Sequence, residues 1–189
     1  DDDVLGRVDA ARALGKKGDK SAIAALGKAG REDGFWGVQA ECAEALAKIR
    51  TLAALAALSA GVKVKHPKAR RAVARALGEW RSEQAARTLK LLARRDASYF
   101  VEAEAAKGLG KTRQKSAWSE LAKSARKKGW QETVRCGALA GMAELDPAKA
   151  PRVRQYFKAE SVHYFNHGDT GLRQGKTLLT GASHIPTPT

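Results

Sequence analysis

The chain of 189 residues has little of several features that mark particular classes of protein. Its two cysteines, Cys42 and Cys136, are too few for a disulfide scaffold and form no Cys-x-x-Cys zinc motif. No apolar run approaches the roughly 18 residues that a membrane-spanning helix needs, so we expect no membrane partner. Valine and isoleucine are scarce and do not alternate with polar residues, which argues against a β-sheet.

Acidic residues are also under-represented, with 20 against 35 basic residues and a net charge of +15. The excess is local, because residues 1–60 have a net charge of 0 whereas residues 61–95 carry +9 and residues 107–135 carry +7. A basic block attracts anions such as nucleic acid, and a solvated surface is the alternative interpretation. The chain begins with Asp1 rather than Met, and we expect it to be a fragment of a longer, cytoplasmic protein.

Alanine, the best helix former, is abundant, with 37 residues. A three-residue phrase recurs along the chain. It consists of a small residue, then Leu or Met, then a second small residue. Its central residues are spaced by 32, 31, 32 and 33 positions. They are Leu14, Leu46, Leu77, Leu109 and Met142. A period of this length indicates a repeat protein.

Each repeat is predicted to consist of two helices. The first helix carries the phrase, and we expect the small residue that ends the phrase to lie at the helix C-cap. The second helix is predicted over residues 21–29, 51–60, 82–95, 115–127 and 147–158. One such pair cannot bury its apolar face alone, but stacked pairs can. The sequence therefore predicts an all-α, right-handed α-solenoid of about five HEAT-like repeats over residues 1–160, followed at 161–189 by a degraded last repeat or a tail.

Three segments carry a more specific resemblance. They read Phe-Trp-Gly-Val-Gln-Ala-Glu at 35–41, His-Pro-Lys-Ala-Arg-Arg-Ala-Val at 66–73, and Ser-Tyr-Phe-Val-Glu-Ala-Glu at 98–104, the last followed by Gly-Leu-Gly-Lys-Thr-Arg at 108–113. Over roughly residues 8–145 this set resembles the C-terminal HEAT-like region of bacterial proteins in the aminopeptidase N family of zinc metallopeptidases. The resemblance implies a scaffold that packs on a peptidase domain or recruits something to it.

No catalytic residue can be assigned from that resemblance, because the His-Glu-x-x-His motif of the family is absent. The segment 171–177 has three residues between its glycines where a phosphate-binding loop needs four. His163 and His167 are four residues apart but lack the glutamate of a zinc peptidase. We therefore predict no cofactor, no metal, and no enzymatic activity for this chain.

Four charged residues are candidates for binding a partner. Arg71 and Arg75 are four residues apart and share one helix face. We expect this face to line the concave side of the solenoid, with Glu104 and Arg113 on the next repeat. An acidic peptide or a phosphate chain would contact these side chains.

Two aromatic residues are further candidates. Trp36 and Tyr99 each stand two residues before a valine, Val38 or Val101, in equivalent repeats. They either seal the turn between repeats or form a ridge on which a peptide or a base could stack.

The sequence thus favours a non-catalytic interaction module that binds a protein or peptide, including the peptidase domain of its own parent chain. The alternative is a basic α-solenoid that binds a nucleic-acid backbone or another polyanion. An enzymatic version of this alternative would resemble the HEAT-like DNA glycosylases, and Asp96 near Tyr99 is the candidate for their catalytic aspartate.

Overall fold

The computed structural model describes residues 3–127 and 132–149, and its regular structure there is helical. The α-helices are α1 (Val4–Lys17), α2 (Ile23–Glu32), α3 (Trp36–Ile49), α4 (Leu52–Ala60), α5 (Pro67–Gly78), α6 (Glu83–Arg95), α7 (Tyr99–Lys111), α8 (Trp118–Ser124) and α9 (Thr133–Leu145). The proposed boundary at residue 160 and the segment 161–189 lie outside the described residues.

The helices form two rows. The phrase-bearing helices α1, α3, α5, α7 and α9 pack each against the next, and α2, α4, α6 and α8 form a second row beside them. This arrangement confirms the all-α solenoid, and residues 3–127 and 132–149 contain four complete helix pairs and the first helix of a fifth. Within the described residues, no helix combines the length and the apolar character required to cross a membrane.

In several repeats, the second helix begins at the position that its capping residue indicated. The side chain of Thr51 accepts a hydrogen bond from the Ala54 amide at 3.1 Å, and Ser82 accepts one from Ala85 at 3.2 Å. Each bond satisfies an amide that has no partner inside the helix. Helices α2 and α8 start later than predicted because a turn of 3₁₀-helix precedes each of them.

One expectation is wrong: in none of the five described phrase-bearing helices is the small residue that ends the phrase the C-cap. The C-caps are, in chain order, Gly18, Arg50, Glu79, Thr112 and Asp146. Helix α1, for example, runs past Gly15 to Lys17 and is capped by Gly18, whose φ of 70° is left-handed. A Cβ atom on Gly15 would lie 2.6 Å from Cα of Ala45, and one on Gly78 would lie 2.7 Å from Cα of Gly108. The last residue of one phrase thus meets the first residue of the next, and glycine allows the two helices to approach closely. Among the described helices, only α5 ends at its phrase glycine.

The central residues of the phrases form the core. Leu46, Leu77, Leu109 and Met142 are at most 2% exposed. Leu14 is only partly buried, since α1 has a neighbouring repeat on one side only within the described chain. Leucines of the second row complete one continuous apolar core, among them Leu55, Leu58, Leu89 and Leu121.

Candidate functional site

A polar side chain lies seven residues before the central residue of every phrase. These residues are Arg7, Gln39, Arg70, Glu102 and Arg135. Arg70 donates through Nε and Nη2 to the two carboxylate oxygens of Asp96, at 2.7 and 2.9 Å. Arg7 binds Asp33 in the same way, at 2.8 and 3.3 Å. Both aspartates stand in loops that join repeats, so this position fixes the connection between repeats.

The aspartates are fully engaged in these loops. Besides its arginine, Asp33 accepts the amide of Phe35 at 2.8 Å, and Asp96 accepts the amide of Ser98 at 2.9 Å. The hydrogen bond from Arg7 lowers the pKa of Asp33. The Asp96 side chain is 4% exposed and both of its oxygens are bonded. Asp96 is therefore a structural anchor, which corrects its interpretation as the catalytic aspartate of a glycosylase-like enzyme.

The other repeats place different groups at the same position. The Gln39 amide donates to the Asp33 carbonyl at 2.8 Å. The buried carboxylate of Glu102 accepts from Nζ of Lys127 at 2.8 Å, and Arg135 donates to the Ala125 carbonyl at 3.0 Å. The sequence reasoning missed these anchors, although a polar residue at one fixed distance before each central apolar residue was a readable signal.

The anchors show a longer period of 63 residues. Arg7 and Asp33 correspond to Arg70 and Asp96, and the left-handed Arg50 (φ 56°) corresponds to Arg113 (φ 58°). Two repeats therefore form one larger unit that occurs twice. We call residues 4–66 the first double repeat and residues 67–127 the second.

Ion pairs link neighbouring helices across the solvent face of the phrase-bearing row. We call the following set the charged ladder: Arg12–Glu41 at 2.9 Å, Arg75–Glu44 at 3.9 Å, Arg71–Glu104 at 3.2 Å, Arg75–Glu104 at 3.7 Å and Arg113–Glu144 at 3.7 Å. From α1 to α7 the sign of the paired charge alternates from helix to helix. Neighbouring helices thus attract rather than repel one another.

The structure brings three of the predicted site residues together. Arg71 and Arg75 of α5 both reach Glu104 of α7, and they remain 47% and 48% exposed. Arg113 lies one step further along the ladder, paired with Glu144. Because carboxylates accompany the arginines, the positive potential of this face is weaker than the local charge of the sequence indicated.

The two predicted aromatic residues have different surroundings. The Trp36 ring is partly buried, stacks on His66 with ring centres 5.5 Å apart, and has Nζ of Lys68 at 4.6 Å from its centre. Tyr99 is 51% exposed at the start of α7. Trp36 therefore covers the junction between α3 and α5, whereas Tyr99 is presented to solvent.

The thiols and metal-binding residue types offer no reactive centre in the described chain. Burial raises the pKa of Cys42 to about 12 and also raises the pKa of Cys136, so both thiols are protonated at neutral pH. Among residues 3–127 and 132–149, no three His, Cys, Asp or Glu side chains are grouped so that they could hold a metal ion. His163, His167 and the segment 171–177 lie outside these ranges.

Three solved structures resemble this fold. Human deoxyhypusine hydroxylase, solved with glycerol, matches with a TM-score of 0.60 and 19% identity over 67% of this chain and 44% of its own. The CpcE–CpcF complex of phycocyanin lyase from Nostoc sp. PCC7120 matches with a TM-score of 0.65 and 21% identity over 93% and 70%. An engineered protein matches with a TM-score of 0.54 and 20% identity over 94% and 92%. No curated protein sequence matches the chain.

These neighbours correct the prediction that the chain is not an enzyme. A hydroxylase and a lyase are built on similar helical repeats. The absence of a zinc-peptidase motif is therefore no ground for excluding catalysis from this fold. At 19–21% identity the likeness shows the fold alone, and this chain spans less than half the length of the hydroxylase.

The family match rests on the repeats themselves. The model described as HEAT repeats matches residues 1–67 and again residues 62–143. Together these matches cover the helix pairs, the phrases and the anchored loops described above. The chain belongs to the HEAT repeat family.

Proposed function

We propose that this chain is a repeat scaffold that binds another protein through the solvent face of α1, α3, α5, α7 and α9. The charged ladder is the observation that carries the proposal. It presents fixed charges of both signs on helices that pack closely, so a partner meets a preformed pattern. The lyase neighbour, which was solved as a complex of two proteins, supports an interaction role for this fold.

Four ladder residues are proposed to contact the partner. Arg71 and Arg75 are half exposed, and their guanidinium groups retain donors that Glu104 does not occupy. A carboxylate of the partner would add to the existing pair rather than approach an isolated charge. Arg113 and Glu144 would provide the same contact one repeat further on.

Site-specific photocrosslinking tests this surface. A photoreactive amino acid replaces Arg75 in the ladder or, as the matched control, the 78% exposed Arg87 of α6. We expect one discrete crosslinked product with the partner protein from position 75 and none from position 87. The yield from position 75 should fall when the change Arg71→Glu is added. Equal adducts from both positions would reject the ladder as the binding surface.

The nucleic-acid alternative predicts a different result. Titration of labelled duplex DNA at low and high salt would show strong binding that salt weakens, and the double change Arg71→Ala and Arg75→Ala would reduce the salt dependence. We expect weak binding instead, because Glu44 and Glu104 already compete for these two arginines.

The aminopeptidase parent remains a proposal that rests on the segments at 35–41, 66–73 and 98–104. None of the three solved structures named above is an aminopeptidase. A His-Glu-x-x-His helix in the full-length parent would support this origin and make the peptidase domain the first partner to test. A parent without that helix would reject it. The expected cytoplasmic location likewise remains a prediction, which fractionation of the source cells would check.

A further inference from the structure

Exposed aromatic residues gather at one edge of the phrase-bearing row. Six large hydrophobic residues are exposed in the described chain, and the three aromatic ones stand at the N-terminal ends of α3 and α7. Phe35 is 38% exposed, and Tyr99 and Phe100 are each 51% exposed. An apolar ring in water costs free energy, so a pair of such sites on one edge points to a binding surface.

The start of α5 connects the two aromatic groups. His66 stacks on Trp36, and Phe35 lies against Trp36 with ring centres 5.5 Å apart. On the other side, the Arg71 guanidinium lies 5.9 Å from the centre of the Phe100 ring. We call Phe35, Trp36, His66, Tyr99 and Phe100 the aromatic edge, since these contacts run from α3 across α5 to α7.

Positive charge is concentrated at the middle of this edge. Lys63, Lys65 and Lys68 are exposed, and no acidic residue occurs between Gly61 and Gly78. The first turn of α5 contains no acidic side chain, but its amides are already bonded, since Pro67 has no N–H and the Lys68 amide donates to Nδ1 of His66 at 3.2 Å. The positive charge here therefore comes from the lysine side chains. The nearby aspartates contribute little negative charge at the surface, because Arg7 and Arg70 bind them in the loops.

The spacing of the aromatic groups limits what could bind both. One helix, α5, lies between α3 and α7, and neighbouring helices pack about 8–10 Å apart. The two groups are therefore about 16–20 Å apart, which an extended peptide spans with about five or six residues. A single-stranded nucleic acid would need cations along its whole path, whereas here the exposed lysines cluster between the aromatic groups.

We infer that the aromatic edge binds an extended acidic peptide that carries two apolar side chains about six positions apart. One apolar side chain packs on Phe35 and Trp36, and the other packs on Tyr99 and Phe100. The acidic residues between them lie over the exposed Lys65 and Lys68. This inference rests on the proposed scaffold function and names its partner as an acidic, extended segment of a protein.

Synthetic peptides test the inference by fluorescence anisotropy with the whole chain. The probe is a labelled acidic peptide with two phenylalanines about six positions apart. Its controls have one phenylalanine, a shorter spacing, or lysine in place of the acidic residues. We expect the two-anchor peptide to bind at least about tenfold more tightly than each control. Equal affinity for the one-anchor peptide would overturn the inference.

Variants on the edge make the test specific. Phe100→Ala and Lys68→Glu change exposed residues, and each should weaken binding of the two-anchor peptide about tenfold. The matched control Leu91→Ala removes a 65% exposed apolar residue from α6 and should leave binding unchanged. Equal losses in Phe100→Ala and Leu91→Ala would overturn the inference.

Two further outcomes distinguish peptide binding at this edge from nucleic-acid binding and from failure of the scaffold itself. A labelled oligodeoxythymidine that binds more tightly than every peptide would assign the edge to single-stranded nucleic acid and overturn the inference. If the peptide fails to bind while the crosslink at position 75 persists, only the aromatic edge is rejected. Failure of both measurements would reject the proposed scaffold function as well.

Discussion

The first and second double repeats share their internal anchors but differ at the surface. Arg7–Asp33 in the first and Arg70–Asp96 in the second hold equivalent loops with the same bidentate geometry. In contrast, residues 1–60 have no net charge, whereas residues 61–95 carry +9. The comparison separates residues that maintain the stacking of repeats from residues that are available for recognition.

The two equivalent arginine–aspartate pairs are buried to different degrees. Arg7 and Asp33 are 29% and 9% exposed, whereas Arg70 and Asp96 are 14% and 4% exposed. The second pair has a complete repeat on each side. Equivalent changes in the two double repeats should therefore have unequal effects.

Removal of the buried aspartate gives the largest expected effect. Asp96→Ala removes the carboxylate from the mostly buried Arg70, which keeps only the carbonyls of Val64 and Lys65 as acceptors, and should lower the free energy of unfolding by roughly 3 kcal/mol. Asp33→Ala should cost about 1–2 kcal/mol, since water can reach Arg7. Urea unfolding followed by circular dichroism measures both, with the exposed Asp9→Ala as control. Equal losses at the two positions would contradict the difference in burial.

The glycine contacts between phrase-bearing helices give the next largest effect. Gly78→Ala places a Cβ atom 2.7 Å from Cα of Gly108, and should destabilise the chain by about 1–3 kcal/mol despite the better helix propensity of alanine. Gly34→Ala is the control, since no atom beyond its two chain neighbours lies within 4 Å of its added Cβ. Thermal unfolding compares the two variants, and a stability of Gly78→Ala equal to that of the parent would mean that the helices separate at little cost.

The arginine–aspartate anchors and the glycine contacts mark the limit of what the sequence could predict. The period, the two-helix unit and the central leucines follow from local patterns, and the structure confirms them. The partner of a phrase glycine is another phrase about 30 residues away, so local reasoning assigned Gly15 to a helix cap. Asp96 was misread for the same reason: its arginine lies 26 residues earlier in the chain.

The candidate site was predictable only in part. The helical spacing of Arg71 and Arg75 predicts one shared face of α5, and the structure leaves both about half exposed there, opposite the buried Val73 and Leu77. That this face lines the concave side of the solenoid stays a prediction. Their pairing with Glu44 and Glu104 depends on how neighbouring helices align, which a single sequence does not specify. The exposure of Phe100 likewise depends on the path of the loop before α7.

Acid should weaken both double repeats through different carboxylates. Hydrogen bonds from Arg7 and Arg94 lower the pKa values of Asp33 and Glu120, respectively. Since the unfolded chain then binds more protons than the folded chain, stability is retained above about pH 4 and is lost as the pH falls through the lower, folded pKa. Unfolding free energies measured from pH 6 downwards should fall less steeply in Asp33→Asn and in Glu120→Gln. A slope unchanged in both variants would contradict this assignment.

The ladder arginines should have the smallest effect on stability. Arg71 and Arg75 are about half exposed, but their shared partner Glu104 is only 13% exposed. The double change Arg71→Ala and Arg75→Ala should therefore lower the unfolding free energy by about 1 kcal/mol, which combines the small contribution of exposed pairs with the cost of leaving this carboxylate without its cations. Arg12→Ala in the first double repeat should behave alike. Chemical denaturation tests this, and a loss of several kcal/mol would make these arginines structural and remove them from the proposed binding surface.

The glycine contacts also have a mechanical consequence. Where Gly15 meets Ala45 and Gly78 meets Gly108, backbones touch with almost no side-chain layer between them. A close-packed contact of this kind resists sliding, because any displacement immediately brings atoms into overlap. The second row is instead joined by larger side chains, including leucines and the Arg94–Glu120 pair. We therefore expect the phrase-bearing row to be the stiffer edge of the molecule under load, and bending to open the row formed by α2, α4, α6 and α8.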